Sequence, residues 1–259
     1  MHFSFTSMKK QFSFLLLVLF SFQFTFAQSD NSVLWEIKGN GLKQSSYLLG
    51  YLPQNNQRAL MLPEVTEEKM QQAEIVAIAP YTSVEGMSSD KSLEELFSKE
   101  DYKKLETLAD QKFGMFEWRI FKSAHPAYLA NQLFSAGTYL NLLTQPVNEL
   151  KKKAQESGKE IIFPEGEDQR KEAYEKISQG EQVALLSELI NNHETWDKTY
   201  DEMLAAYERQ DMTKLKQLLS KTEKYPQYWQ QMVTERNKNI VTSLETTLKK
   251  NLPLPLSLL

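Results

Sequence analysis

The chain has 259 residues, of which 41% are hydrophobic and 25% are charged, and this composition is typical of a globular protein, not of a disordered one. It contains no cysteine, which excludes disulfides, thiolate catalysis and thiolate zinc sites. The 30 basic and 34 acidic residues are interspersed, so we predict no basic face for nucleic acid and no polybasic membrane patch.

The first 27 residues have the pattern of a signal peptide. Lys9 and Lys10 form a short positive region, an apolar core follows at residues 14–20, and Ala27 is the small residue expected before a cleavage site. An N-terminal membrane anchor is the alternative, because further phenylalanines extend the apolar stretch. We predict export to the periplasm or the medium, cleavage after Ala27, and one mature domain over residues 28–259 that no membrane holds.

Two strand-like runs open the mature chain. Residues 33–39 and 45–52 carry apolar side chains at alternate positions, and Gly39, Asn40 and Gly41 form a turn signal where the first run ends. We therefore predict an antiparallel hairpin. A helix over residues 62–73 and a short buried strand over residues 74–79 follow it.

Most of the remaining chain is predicted to be helical. Ser92 and Ser98 are candidate N-caps, and residues 127–143 form an apolar helix. A further helix is stopped by Gly158 and is followed by a strand over residues 159–163.

From Gln179 onward the pattern is helical, with breaks near Asp211 and Pro226. The order of these elements predicts an α/β fold. It has a central β-sheet with an N-terminal hairpin, a helix-rich insertion and a helical C-terminal half.

Two histidines remain after signal cleavage, His125 and His193. His125 precedes a proline, which predicts a position at the entry to a helix. His193 begins the sequence His-Glu-x-x-Asp, which would be a zinc helix if its last residue were histidine. His193 also lies on one helical stripe that runs from Leu186 to Tyr207, so we favour a structural or surface role.

An acidic cluster follows the strand at 159–163. Glu165, Glu167 and Asp168 could bind a cation or act as acid and base. A helix N-terminus, where acidic residues interact with free amides and the helix dipole, is the interpretation that we favour. Arg236 could bridge to a buried carboxylate, but its spacing alone favours a solvated charge on a helix surface.

Several segments together resemble the TraB/GumN family, which is related to the Tiki metalloproteases. The most specific is SVLWEIKGNGLKQSSYLLG, which is similar to the family's opening hairpin. LPEVTEEKMQQAEIVAI resembles its first helix and next strand, and ELKKKAQESGKEIIF resembles the helix and strand before a family Leu-Glu-Thr motif. EQVALLSELI and TERNKNIVTSLETTLKK resemble its later helices, including an Arg-Asn pair at Arg236 and Asn237.

The sequence departs from the family where its chemistry is expected. Pro53 stands where the family has the histidine of Gly-x-x-His, and Pro80 stands near an expected acidic pair. Only Glu165 remains of the Leu-Glu-Thr motif. The tail at 251–259 takes the place of a strand with a second Gly-x-x-His, and its two prolines and lack of charge predict that it is not a buried strand.

The resemblance therefore implies a family scaffold whose metal site is lost, because hydrolytic metal sites need about three protein ligands. It implies Glu165 as the one remaining catalytic position, Gly50, Arg236 and Asn237 as binding residues, and no cofactor. Three hypotheses follow. The first is an exported binding or accessory protein whose partner is an unknown protein or peptide. The second is an active peptidase-like hydrolase with a divalent metal, and the third is a truncated product without function.

Overall fold

The computed structural model describes residues 32–39, 44–52, 62–78, 87–114, 118–135, 146–250 and 256–258. From Val33 onward these residues belong to one compact unit. The predicted signal peptide lies outside the described residues. Within them, no helix is both long enough and apolar enough to cross a membrane.

A five-stranded sheet organises this unit, in the spatial order β1-β2-β5-β3-β4. β1 and β2 are antiparallel, and every other neighbouring pair is parallel. The strands are β1 (Leu34–Ile37), β2 (Ser46–Leu49), β3 (Ile75–Ala77), β4 (Glu160–Ile162) and β5 (Leu256–Leu258).

The structure confirms the predicted hairpin and the two predicted internal strands. Leu34 pairs with Leu49 and Ile37 with Ser46, which is the register that the alternating apolar residues require. The predicted turn at Asn40 and Gly41 lies outside the described residues. Short apolar runs at β3 and β4 became neighbouring parallel strands, as is usual where a helix connects two strands.

The tail was predicted not to be a buried strand, but part of it does form a strand. Leu256–Leu258 lies between β2 and β3 and pairs with both, so these three residues occupy the middle of the sheet. The prolines at 253 and 255 precede the strand and do not interrupt its three residues. Proline is accepted beside a strand, and pairing on both edges outweighs the weak local preference.

Helices make up most of the described chain. In order they are α1 (Val65–Gln72), α2 (Leu93–Leu96), α3 (Lys99–Phe113), α4 (Pro126–Phe134), α5 (Pro146–Glu156), α6 (Glu167–Glu175), α7 (Gln179–Asn191), α8 (His193–Glu208), α9 (Met212–Leu219), α10 (Pro226–Trp229) and α11 (Arg236–Lys250). A π-helical turn, Gln230–Glu235, joins α10 to α11. The fold is thus the mixed α/β architecture that the sequence predicts.

Polar residues set several helix ends where the sequence places them. The Ser98 hydroxyl accepts a hydrogen bond from Asp101 N–H at 3.1 Å, and the N–H and hydroxyl of Ser92 both donate to the Glu95 carboxylate at 2.8 Å. Gly158, after α5, has a φ of +67°, which glycine adopts without strain. Of the helix predicted over 127–143, the part from Pro126 to Phe134 is described.

The sequence suggested that the stripe around His193 lies on a single helix, but the structure has two helices there. Asn192 interrupts it with φ −129° and ψ 29°, so α7 ends and α8 begins there. His193 is half-buried at the start of α8, and its Nδ1 lies 3.3 Å from the Ile190 carbonyl oxygen. The predicted structural role fits this contact, whereas the single-helix prediction was wrong.

Apolar side chains pack on both faces of the sheet and fill a separate helical core. On one face, Val76 and Leu49 pack with Tyr207 from α8. On the other face, Ile75 and Ala77 pack against Leu244 from α11. The third cluster lies among α3, α4 and α7. The loop after β4 leads into α6, and the candidate site is built there.

Candidate functional site

A buried carboxylate, Glu165, lies between strand β4 and helix α6. Gly166 is the N-cap of α6, and its N–H donates to the Gln169 side-chain oxygen at 2.9 Å. Glu165 precedes this N-cap, and its carboxylate oxygens accept hydrogen bonds from arginine side chains and not from the first amides of α6. Glu165 is only 4% exposed. The favoured interpretation of Glu165 as a helix N-terminal residue is therefore wrong, although Glu167 and Asp168 do occupy the first turn of α6.

Two arginines bind both oxygens of the Glu165 carboxylate. Arg236 donates from Nε to Oε1 at 2.7 Å and from Nη2 to Oε2 at 2.9 Å. Arg170 donates from Nε and Nη2 to Oε2 at 3.1 and 2.7 Å. The two arginine side chains are 15% and 26% exposed, so this triad of Glu165, Arg170 and Arg236 is largely sheltered from water. Fork-shaped contacts of this kind are among the stronger charge-assisted hydrogen bonds.

Arg236 reaches the carboxylate from the far C-terminal helix. It is the first residue of α11, immediately after the π-helical turn Gln230–Glu235. A π-turn inserts a residue into the helical repeat and rotates the side chains that follow it. We infer that this turn sets the direction of the Arg236 side chain. The prediction of a solvated surface charge at Arg236 was wrong.

Glu165 and Arg236 are both ionised at neutral pH. Burial by itself would raise the pKa of Glu165, but the hydrogen bonds and charge of Arg236, with those of Arg170, hold this pKa below its usual value. Burial would lower the pKa of Arg236, yet the hydrogen bonds and charge of Glu165 raise it. Glu165 is therefore a carboxylate anion, and it does not carry the proton that a general acid would need.

A neutral hydrogen-bonded group packs beside the triad. The Asn131 amide donates to the Tyr174 hydroxyl at 3.0 Å and accepts from the Tyr228 hydroxyl at 2.7 Å. Burial raises the pKa of both tyrosines, so they stay neutral. His125, the N-cap of α4 as predicted, stacks on Tyr174 with ring centroids 6.2 Å apart. This packing fixes the surroundings of the triad.

The triad borders a polar groove of about 770 Å³ between α6 and α11. The lining is mainly amide, hydroxyl and charged side chains: Glu165, Gln169, Glu172, Ala173, Lys176, Gln231, Glu235, Arg236, Asn239, Thr242, Ser243, Thr246 and Thr247. Only Ala173 is apolar among them. The groove therefore offers hydrogen bonds rather than an apolar surface.

The other residues that the sequence singled out are not part of this triad. Gly50 follows β2, donates its N–H to the Val33 oxygen at 2.6 Å and accepts the Tyr207 hydroxyl at 3.0 Å. Asn237 is exposed and does not line the groove, although its neighbour Arg236 does. Pro53 and Pro80 lie outside the described residues.

Sequence reasoning missed Arg170 and the tyrosines. Arg170 lies five positions after Glu165, a spacing that matches no side-chain pair on one helix. Tyr174 and Tyr228 are aromatic residues in helical segments, which by pattern are core residues. The only available signal was an arginine close to an acidic cluster. Among the residues that the structure describes, no group of three or more histidine, cysteine, aspartate or glutamate side chains is placed to bind a metal.

A family model describes most of this chain. The model of the TraB/PrgY/gumN family matches residues 33–253, a range that holds the whole triad and the groove. Searches of curated proteins and of solved structures found no match. The resemblance inferred from sequence segments is confirmed.

Proposed function

The chain belongs to the TraB/PrgY/gumN family, and from this premise we propose that it is an exported member that acts by binding a protein or peptide and not by hydrolysis. The environment of Glu165 carries the proposal. Glu165 is the one acidic position that the resemblance leaves for a hydrolytic site. Its carboxylate is engaged by two guanidinium groups.

The geometry of the triad does not fit a metal ligand. Both oxygens of Glu165 accept hydrogen bonds from arginine, so a cation would have to displace Arg170 or Arg236 and then lie beside their positive charges. Breaking a buried ion pair costs about 3–5 kcal/mol, and one carboxylate cannot repay that cost. The ion pairs of Glu165 with Arg170 and Arg236 support a structural role for this carboxylate.

The groove beside the triad is where we propose that the ligand binds. Peptide backbones present alternating N–H and C=O groups, which amide and hydroxyl side chains can satisfy directly. Gln231, Asn239 and Ser243 line the groove together with Lys176 and Glu235. A groove that carries one charge of each sign among neutral polar groups suits an extended, neutral chain better than a strongly charged ligand.

Export remains part of the proposal. It is supported by the Lys9-Lys10 pair, the apolar run and Ala27. N-terminal sequencing of protein recovered from fractionated cells should find a chain that starts at Gln28. An intact Met1 in the cytosolic fraction would contradict it.

Calorimetric titration of metal-stripped protein with Mn²⁺, Co²⁺ and Zn²⁺ tests the loss of hydrolysis. We expect no binding in the roughly micromolar range or tighter that structured sites reach. Binding of that strength that disappears in Glu165→Gln but persists in Asp168→Asn would restore the hydrolase hypothesis. Pro53→His alone should produce no hydrolase activity.

Peptide selection tests the binding role. Peptides enriched from a displayed random library on the immobilised protein should lose about tenfold or more in affinity with Thr246→Arg, which would fill the groove. Val241→Arg is the matched control, since Val241 is on the same helix, is exposed and does not line the groove. Failure to enrich any peptide, or equal losses in both variants, would contradict the proposal.

A further inference from the structure

One half of a sheet face is covered and the other is exposed. Trp35, Ile37 and Leu48 are 40%, 37% and 43% exposed. Trp35 pairs with Leu48 across the hairpin, and residues two apart in a strand share a face, so the three form one apolar patch. Through β5, Leu48 lies on the same face as Ala77, where α11 packs. The patch therefore lies on the same face of the sheet as α11, but α11 does not bury it.

The outer edge of β1 carries outward backbone groups beside this patch. Gly50 donates to the Val33 carbonyl oxygen at 2.6 Å, so this carbonyl points toward β2, whereas the Val33 N–H donates to the Gln210 side-chain oxygen at 3.4 Å. Alternate residues of an antiparallel strand face the same partner, so Trp35 and Ile37 direct their backbone groups toward β2, and the N–H and C=O of Glu36 point away from it. β1 is the terminal strand in the order of described strands. An edge of this kind is a template for another strand.

We propose that β1 pairs with β1 of a second copy of this chain, antiparallel and centred on Ile37. This register places Glu36 opposite Lys38 of the second copy, and the two-fold axis makes that pair twice. Opposite charges directly across a ladder are favourable. Ile37 then faces its own equivalent in the closer, non-hydrogen-bonded kind of pair.

Charge selects this register and a copy of the same chain. A ladder centred on Glu36 would set two glutamates against each other, which is destabilising. Within one chain, Glu36 and Lys38 already lie 2.9 Å apart, so the pair is poised to exchange partners at low cost. The apolar patches of the two copies become one surface, with Ile37 of each copy at its centre and the two copies of Trp35 on either side of it. Tryptophan is enriched at binding hot spots.

Sedimentation equilibrium of the purified protein with charge-swap variants tests the pairing. The wild-type protein should dimerise in the roughly micromolar range that small interfaces reach. Glu36→Lys places lysine opposite lysine, and Lys38→Glu places glutamate opposite glutamate, so each should weaken the dimer by about tenfold. The double variant restores opposite charges and should recover dimerisation.

Glu156→Lys is the control, because Glu156 also forms an exposed ion pair with a lysine, Lys152 of α5, and α5 packs beside β4 at the opposite edge of the sheet. It should leave dimerisation unchanged, and thermal melts should show that all variants fold. A protein that is monomeric throughout would overturn the proposal. So would a dimer that ignores both single swaps, or a double variant no better than the singles.

Discussion

The triad buries charged side chains, whereas the hairpin edge exposes apolar ones. At the triad, Glu165 is buried and bound by two arginines. At the hairpin edge, Trp35 and Ile37 are exposed while Glu36 and Lys38 pair in water. A charge withdrawn from water must be fully matched, so the triad resists change. Surface charges have little effect on folding, so they are available for recognition.

The largest expected effect comes from breaking the triad. Glu165→Ala leaves two guanidinium groups without their carboxylate, and we expect the free energy of unfolding to fall by about 3–5 kcal/mol. Chemical denaturation measures this change. Asp168 is an exposed acidic residue in the first turn of α6, and Asp168→Ala should lower the free energy of unfolding by less than about 1 kcal/mol. Equal losses of stability in the two variants would show that the triad contributes no more to folding than an exposed acidic residue.

Acid should destabilise the protein through Glu165. The pKa of Glu165 is below its ordinary value of 4.5, so its stabilising contribution is fully present above pH 4.5 and is lost as the pH falls through the folded-state pKa. The free energy of unfolding should drop steeply below pH 4.5 in the wild type. Glu165→Gln should flatten that slope, and an unchanged slope would contradict the assignment.

His125 should produce a separate, smaller pH effect. Burial lowers its pKa below 6.5, the neighbouring Glu175 and Asp90 oppose that shift and Lys171 adds to it, and its Nε2 is buried without a hydrogen-bond partner. The unfolded chain then binds more protons, so stability is complete above pH 6.5 and declines as the pH falls below it. His125→Gln should abolish the loss between pH 6.5 and 5. Urea melts at both pH values measure it.

The contact that ties the hairpin to the helices should have an intermediate to small effect. The Tyr207 hydroxyl donates to the Gly50 oxygen at 3.0 Å, and burial raises the pKa of Tyr207 to about 12. Tyr207→Phe removes the donor and keeps the ring, so we expect a loss of about 1 kcal/mol in denaturant melts. A loss as large as that of Glu165→Ala would contradict the comparison.

The smallest effect on folding should come from Lys38→Ala. The Lys38 side chain is two-thirds exposed, so its pair with Glu36 is screened by water. We expect no measurable change in the denaturation midpoint, while dimerisation weakens. A clear loss of monomer stability would show that the Glu36–Lys38 pair, like the triad, contributes to folding.

Local pattern predicted the hairpin, the two internal strands and the serine caps, because alternation, apolar runs and N-cap hydroxyls act over a few residues. It did not predict β5, whose three residues are held by partners on both sides and not by their own preference. Nor did it predict the pairing of Glu165 with Arg236, because 71 positions separate them and a π-turn directs the arginine. Contacts between residues far apart in the chain cannot be predicted from a local sequence pattern.

The central position of β5 has a consequence for the order in which the chain can fold. β5 follows all the helices in sequence, yet both of its partners, β2 and β3, precede most of them. Contacts between such distant segments form slowly, because a long loop must close first. Until β5 docks, the facing edges of β2 and β3 expose unpaired backbone groups that invite aggregation. A chaperone that protects the newly made chain would have to shield these two edges until the last strand arrives.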